Sequence, residues 1–288
     1  MGHPRPEVQF LKKLLLAALT AGVLRGTVCA HERAIWGLDD NVSIGYRLTD
    51  FYYVEPSNTC ALAVCANALQ SPYLDREFGF ISGLHASASG LLFDDRVYTR
   101  LAYDRVSGHV RYQGYSQSGA AIPDGVSGAM ISGYGIRLGA TFPDGPVMAV
   151  PFLEYGHHAW RRLIGVGTAQ AYEEDYRHDY VALGALIQVA LTRTLVGSIY
   201  AAAGRTLNPS IAVASLGFSQ GLGTSALIKA GASLDLWLSH RLGLYAAVRY
   251  TRFSYGQSAP QESGNLVIME PQSHTVMADY EGGLRFVF

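Results

Sequence analysis

A serine, a histidine and an aspartate that can act together in nucleophilic catalysis lie around one turn signal. The signal is Pro-Asp-Gly-Pro at 143–146. If the residues that flank this turn pair as neighbouring strands, Ser132 lies directly opposite His157, with Cβ atoms about 4.5–5.5 Å apart. Asp179, on the following strand, is then placed to orient the histidine. Such a set predicts an ester hydrolase, and an incidental polar pair is the alternative.

Other reactive combinations are weaker. Asp94-Asp95 and His178-Asp179 could form the acidic and Asp-His pairs of a protease, but the strands predicted below place them at opposite ends of the molecule. Glu173–Asp175 could offer oxygen ligands to a calcium ion, and a solvated loop is the simpler interpretation. His157-His158 point to opposite faces of a strand and cannot readily share a metal. We therefore expect no metal and no cofactor.

Two cysteines, Cys60 and Cys65, remain after residue 30. The residues between them are Ala, Leu, Ala and Val, which offer no further metal ligand. In an oxidising compartment such a pair predicts a structural disulfide that closes a small loop, and a metal or redox pair is rejected.

Apolar and polar residues alternate with a period of two in ten segments, which predicts ten β-strands. In the first of them Val42, Ile44 and Tyr46 share one face. Eight or twelve strands remain open alternatives, since 195–204 is apolar on both faces and Ser107-Gly108 interrupts the third segment. The segments are about 41–54, 76–87, 95–112, 128–142, 147–160, 178–192, 195–206, 223–238, 242–256 and 274–288.

Short connections alternate with long ones along the chain. Tight turns at one end and long loops at the other are the topology of a transmembrane β-barrel. The sequence therefore predicts an all-β, antiparallel up-and-down barrel. The short connections are 87–90, 143–146, 193–194 and 239–241, and the long ones are near 55–75, 113–127, 161–177, 207–222 and 257–273.

The last predicted strand has one apolar, aromatic face and one charged face. Its pattern resembles the C-terminal strand of Gram-negative outer-membrane β-barrels, in which a final aromatic residue is the usual assembly signal. The resemblance implies that Tyr280, Phe286 and Phe288 address the chain to the barrel-assembly machinery. It also implies a location in the cell outer membrane, in contact with lipid and lipopolysaccharide.

The N-terminus predicts export. Lys12-Lys13 precede an apolar run at 14–24, and a small residue, Ala30, marks a cleavage point. The run is too short for a transmembrane anchor, and Arg25 interrupts it. Residues 1–30 are therefore a predicted cleaved signal peptide, and 31–288 a predicted barrel domain. The latter carries 18 basic and 22 acidic residues, a net charge of −4, which excludes a nucleic-acid partner.

The segments Gly135–Phe142 and Pro151–Gly156 resemble the β-domain of autotransporters and porin-like barrels. About ten residues separate Ala30 from the first strand. We therefore expect a free-standing barrel with no passenger domain and no room for a helix that plugs the pore.

The inward faces of the strands carry six basic and five acidic residues, so their charges nearly balance. A soluble barrel would leave the other, apolar face in water, whereas lipid outside removes that problem. Near-balance predicts ion pairs that bridge a narrow lumen rather than a conducting channel. The residues are Arg47, Arg100, Asp104, Arg137, Glu154, Lys229, Asp235, Arg249, Asp279, Glu281 and Arg285.

Aromatic residues near the strand ends predict an interfacial girdle, and loop tyrosines suit contact with a host surface or glycan. The girdle set is Phe51, Tyr52, Phe142, Trp160, Trp237 and Tyr255, and the loop set is Tyr112, Tyr115, Tyr172 and Tyr176. We therefore predict a barrel that is not an enzyme, with a structural or surface-interaction role through its extracellular loops. A narrow pore for ions or small solutes is the alternative, and a lipid hydrolase that uses Ser132 and His157 is the third interpretation.

Overall fold

The computed structural model describes residues 28–57, 72–115, 121–167, 171–263 and 266–287. The predicted disulfide between Cys60 and Cys65 lies outside the described residues, as do Phe288 and most of the predicted signal peptide. No described helix is long and apolar enough to cross a membrane.

One α-helix precedes the β-strands of the described chain, and a single 3-10 turn, Ala214–Leu216, interrupts them. The helix is α1 (Val28–Asp39). The strands are β1 (Asn41–Pro56), β2 (Tyr73–Leu92), β3 (Val97–Tyr115), β4 (Ala121–Ala140), β5 (Phe142–Asp144), β6 (Val147–Ile164), β7 (Tyr172–Ala190), β8 (Leu195–Val213), β9 (Phe218–Gly221), β10 (Ala226–Trp237), β11 (Leu242–Tyr255), β12 (Gln261–Ser263), β13 (Leu266–Ile268) and β14 (Ser273–Val287).

The ten long strands form a closed antiparallel ring. Its order is β1-β2-β3-β4-β6-β7-β8-β10-β11-β14, and β14 pairs with β1 to close it. Closure pairs the backbone N–H and C=O groups at both edges of the sheet, and lipid could not hydrogen-bond to them. The predicted ten-stranded barrel is confirmed, and eight or twelve strands are excluded. The short strands β5 and β9 extend hairpins onto β6 and β8, and β12 pairs with β13 outside the ring.

The predicted turn at 87–90 is wrong. Strand β2 continues to Leu92, and the chain reverses at Phe93–Arg96. Phe93, Asp94 and Asp95 all have positive φ, between 54° and 62°. The small residues at 87–90 resembled a turn, but they continue the alternation of the strand.

Three predicted loops, 113–127, 161–177 and 207–222, are largely strand. The ring strands are 12 to 20 residues long, whereas about 9–11 residues suffice to cross a bilayer. The extra length lies at the end that carries the long connections. There both faces of the sheet become polar in places, so the alternation that reveals a lipid-facing strand is lost.

An apolar belt surrounds the other half of the barrel. Its exposed residues include Ile44, Tyr46, Leu84, Leu101, Ile136, Leu153, Leu183, Ile199, Leu234, Leu244, Tyr280 and Leu284. Outward-facing polar residues mark its upper edge: Asp50, Arg105, Ser132, His157, Asp179, Arg205 and Arg252. On β7 the belt runs from Val189 to Val181, which matches the thickness of a bilayer. We call the barrel beyond this edge the head, and it stands on the extracellular side.

Replacement of one belt leucine tests this boundary. Leu183 on β7 is 69% exposed, and Leu183→Arg should destabilise the barrel in lipid vesicles by roughly 2–4 kcal/mol, since arginine is costly on the lipid face. Leu163 also faces outward but lies in the head, so Leu163→Arg is the matched control and should change stability little. Denaturant unfolding in vesicles measures both variants, and equal losses would refute the boundary.

Candidate functional site in the barrel interior

The helix α1 closes the periplasmic mouth of the barrel. It contacts β2 on one side of the ring and the neighbouring strands β7 and β8 on the other. Ala34, Ile35 and Leu38 are buried, and Trp237 donates its indole N–H to the carbonyl oxygen of Ala34 at 3.1 Å. The expectation of no room for a plugging helix is wrong, because a helix rises only about 1.5 Å per residue. Cleavage after Ala30 stays a prediction, and it would leave residues 31–39 in place.

A buried carboxyl fixes the end of α1. The Gln188 amide donates to Asp39 Oδ1 at 2.8 Å, and Asn41 donates to the carbonyl of Leu38. Burial raises the pKa of the Asp39 carboxyl to about 7, and the hydrogen bond from Gln188 opposes this rise. The helix is thus joined to the barrel wall by polar contacts as well as by packing.

Ion pairs cross the middle of the lumen. The Arg47 guanidinium on β1 lies 2.5 Å from Asp104 on β3 and 2.5 Å from Glu281 on β14. Arg249 contacts the second oxygen of Glu281 at 2.8 Å. Asp279 lies 3.6 Å from Arg47 and accepts a hydrogen bond from Thr49 at 2.6 Å. All of these side chains lie on the strand faces that the sequence predicted to point inward.

His85 lies at the centre of this group. Arg100 and Arg249 approach its Nε2 at 3.3 and 3.2 Å, and guanidinium groups only donate. Nε2 is therefore the acceptor, and Nδ1 donates to Asp104 at 2.5 Å. Possible ligand atoms of His85, Asp104 and Glu281 lie within 4.8 Å of one another. Arg47 contacts both of these carboxylates, so in this structure they are paired with a guanidinium.

Two further pairs complete the predicted network. Glu154 Oε2 accepts from Arg137 at 2.7 Å, and its Oε1 accepts from Lys229 and, at 2.8 Å, from the Tyr180 hydroxyl. The second pair joins Arg285 to Asp235 at 2.5 Å. Arg100 is the remaining member, and it also contacts the Ser87 hydroxyl at 3.3 Å.

Little space is left between these side chains. One cavity of about 110 Å³ lies above the network, between Arg137, Glu154 and His178. Another of about 50 Å³ lies below it, beside Asp39. Arg100 and Arg249 line both cavities, so the network separates them. Volumes of this size hold a few waters and no sizeable ligand.

A layer of aromatic rings closes the lumen at the level of the head. The Trp160 ring on β6 is tilted against Tyr53, at 4.8 Å between ring centroids, and stacked on Tyr176, at 4.9 Å. Phe51 and Tyr255 extend the layer toward β1 and β11. All five are at most 2% exposed. The predictions that Phe51, Trp160 and Tyr255 form an interfacial girdle and that Tyr176 contacts a host are wrong, because these rings face inward.

Above the aromatic layer lies one guanidinium among several carboxyls, which we call the Arg162 cluster: Arg162, Glu55, Asp75, Glu77 and Glu174. Arg162 lies 2.7 Å from Glu77, 2.8 Å from Glu174 and 3.8 Å from Glu55, and it also bonds Asp75. The sequence interpretation missed this cluster because it placed Arg162 and Glu174 in a loop. Continuing the inward parity of Trp160 by two residues would have found Arg162.

The predicted Ser132–His157 pair does not form. Tyr134 lies opposite His157, and Ser132 lies opposite Ala159. The reason is the turn, in which Asp144 pairs with Val147 to make a two-residue hairpin, so the register shifts by two. The other predicted contact, between Asp179 and the histidine, does form: His157 Nδ1 lies 2.8 Å from Asp179 Oδ1 on the outer face.

A serine–histidine pair occurs elsewhere on the outer face. Ser254 on β11 lies directly opposite His274 on β14, and Oγ and Nδ1 are 2.6 Å apart. In the described part of the chain no carboxylate hydrogen-bonds His274. The nucleophile–base pair and the Asp179–His157 pair therefore lie on different strands, and neither place holds a complete triad.

The other reactive combinations are also dispersed. Asp94-Asp95 lie in the periplasmic turn, while His178 is buried inside the head and bonds Tyr255 at 2.8 Å. Glu173 and Asp175 face outward, each 3.2 Å from Arg161, so the three consecutive acids do not converge on one cation.

Solved structures with the same architecture place this ring among known proteins. The outer-membrane protease OmpT from Escherichia coli is similar over 93% of this chain and 100% of its own, with a TM-score of 0.53 and 7% identity. The chain has the fold of an outer-membrane β-barrel. At this identity the similarity shows the fold and not the activity.

Two further barrels have lower TM-scores. The translocator domain of the autotransporter NalP from Neisseria meningitidis matches 98% of this chain and 96% of its own, with a TM-score of 0.36 and 13% identity. Ail, the attachment invasion locus protein of Yersinia pestis, matches 86% and 99%, with a TM-score of 0.29 and 10% identity. No protein-family model and no curated protein sequence matches the barrel.

The central ion pairs give a stability prediction. Arg47→Ala removes a partner of the buried carboxylates Asp279 and Glu281 and of the half-buried Asp104. It should destabilise the barrel by roughly 3–5 kcal/mol, since it leaves buried charge less compensated. Arg161→Ala is the matched control, because Arg161 forms its ion pairs on the exposed outer face and should matter little. Denaturant unfolding compares the two, and a loss no larger for Arg47→Ala would contradict the network's role.

Proposed function

We propose that this protein is a closed outer-membrane barrel with a structural or surface-interaction role, in which the head and its loops carry any recognition. The single observation that carries the proposal is the aromatic layer around Trp160, which fills the lumen at the level of the head. A barrel sealed in this way offers its outer surface and its loops, and not a channel, to the environment.

Closure at three levels supports a non-conducting role. The helix α1 covers the periplasmic mouth, the ion pairs of Arg47 and its partners cross the middle, and the aromatic layer with the Arg162 cluster closes the head. Small barrels are filled by side chains, whereas wide aqueous channels need about sixteen strands. Ten strands with this filling belong to the first kind.

The head supports a role at the cell surface. Strand β4 is 20 residues long and β7 is 19, about twice what the bilayer needs, so the strands carry the loops well away from the lipid. Sheet structure outside the membrane costs ordering entropy without adding to the anchor. Its retention favours a function for the raised loops, and a host surface or glycan is the proposed ligand.

The remaining partners are also proposals. Tyr280 and Phe286 are 43% and 46% exposed on the lipid face of β14, as contact with the assembly machinery and with membrane lipid requires. Lipopolysaccharide is the proposed lipid at the upper edge of the belt, where Arg105 and Arg252 face outward. We propose no enzymatic activity.

A narrow pore is the alternative, and one observation favours it. The cavities above and below the ion-pair network share Arg100, Arg137, Tyr200 and Arg249 in their linings, so they lie along one axis. Movement of both α1 and the aromatic layer would join them to the two ends of the barrel.

Planar-bilayer recording tests the proposal. The purified wild-type barrel should give no stable single-channel steps, even at high protein load. A variant that lacks residues 31–39 should also stay silent, because the aromatic layer remains. Combining that deletion with Trp160→Ala should open an intermittent conductance. Steady unitary currents from the wild-type protein would overturn the sealed-barrel proposal and establish the pore.

A further inference from the structure

The connection between β11 and β14 folds into the extracellular end of the barrel and is anchored there by Glu270. Ile268 and Glu270 are buried, as is Ser258 on the other side of the connection. Ser258 N–H donates to the Glu270 carbonyl at 3.0 Å, and Glu270 N–H donates to the Ser258 hydroxyl at 2.8 Å. The two limbs of the connection are thus held together at the point where the Glu270 carboxyl enters the lumen.

Two tyrosine hydroxyls lie within hydrogen-bond distance of that carboxyl. Tyr176 OH lies 2.7 Å from Glu270 Oε1 and 3.2 Å from Glu174. Tyr53 OH lies 3.3 Å from Glu270 Oε1 and 2.7 Å from Glu55. Both tyrosines belong to the aromatic layer beside Trp160, so Glu270 rests directly on the seal of the lumen.

The number of hydrogens in these contacts is too small if every carboxyl is ionised. There are four oxygen–oxygen contacts within hydrogen-bond distance, but the two phenols supply only two hydrogens, and ionised carboxylates supply none. The two hydrogens serve the two contacts of 2.7 Å, and the contacts of 3.2 and 3.3 Å then have no hydrogen of their own. Protons on the carboxyls of Glu55 and Glu270 complete the set.

The charges that face Glu270 support the same conclusion. Glu55 on β1, Asp75 on β2 and Glu174 on β7 are acidic, and Arg162 on β6 is a basic group that acts on it. Arg162 is already engaged by Asp75, Glu77 and Glu174. Glu270 therefore has tyrosines but no cation of its own, and a buried carboxylate without a cation is costly.

We propose that the β11–β14 connection is a lid over the extracellular end of the barrel, latched by a proton on Glu270. With this proton present, and with Glu55 protonated as well, the two carboxylic acids and the phenols of Tyr53 and Tyr176 share a complete set of hydrogen bonds and the lid is seated. Loss of the proton places a bare carboxylate against Glu55 and Glu174 and weakens the seat. The lid controls access from outside to the Arg162 cluster, whether or not the barrel has the surface role proposed above.

The direction of the pH effect follows from linkage. Burial raises the pKa of Glu270 to about 8, and the nearby Glu174 carboxylate adds to the rise, from an ordinary value near 4.5. The undocked lid loses its proton above the ordinary value, whereas the docked lid keeps it until about pH 8. Docking therefore takes up a proton in this window, and each pH unit weakens it by up to about tenfold. Outside the window the effect levels off.

Hydrogen exchange tests the latch in the full-length barrel. The backbone amides of peptides that cover 256–272 are followed from pH 5 to pH 8, with correction for the intrinsic rate. The opening constant of the wild-type lid should increase with pH, at most about tenfold per unit. Glu270→Gln keeps the side chain neutral at every pH and should reduce this slope. Glu262→Gln is the matched control, an exposed acid in the same connection, and should retain the wild-type slope.

A second measurement keeps the test independent of that variant. In a Trp36→Phe, Trp237→Phe background, Trp160 is the remaining tryptophan, and it lies beneath the lid. Its quenching by acrylamide should increase from pH 5 to pH 8 as the lid opens. A wild-type opening constant that does not change with pH, a Glu270→Gln variant that keeps the wild-type slope, or pH-independent quenching of Trp160 would each overturn the proton latch.

Discussion

Closure of ten strands into one ring leaves an interior so narrow that side chains from opposite walls touch, and the rest of the structure depends on this constraint. Arg162 on β6 reaches Glu77 on β2, and Lys229 on β10 reaches Glu154 on β6. At such distances water cannot screen the charges, so each must be neutralised by a partner or by a proton. The lumen therefore behaves as a polar protein core. Its filling by side chains follows from the strand number, and α1 adds to this filling at the periplasmic mouth.

The outer surface obeys a different rule along the same strands. On β6 the outward residues change from Leu153 and Tyr155 to His157 and Arg161, while the inward parity continues through Trp160 and Arg162. The inner face is thus continuous, and the outer face changes where lipid gives way to water. The outer face therefore marks where the membrane ends. The inner face does not, because the interior holds the strands together both within the membrane and above it.

The sequence was sufficient to predict the strands and their inward residues where one face of the sheet meets lipid. Strict alternation around Ile44 and Leu284 predicted the ring strands, and parity predicted the inward residues from Arg47 to Arg285. It was insufficient where both faces meet polar surroundings, which is why Trp160 was placed in a girdle and 161–177 in a loop. The register between β4 and β6 also depended on the length of the turn that joins them. A two-residue turn at Gly145 places His157 opposite Tyr134. The docking of α1 rests on surfaces from several distant strands, and no local pattern encodes it.

The two charged regions of the interior balance their charge in different ways. Around Arg47 the carboxylates have guanidinium partners at fixed distances, within the belt and above α1, so their charge state is set by the structure. Around Arg162 the described carboxyls outnumber the cations, and the balance must come from protons. This second region lies in the head, where bulk water is near and protons exchange with the surroundings. The Arg162 cluster thus has its environment-sensitive carboxyls in the part of the barrel that does not anchor it in lipid.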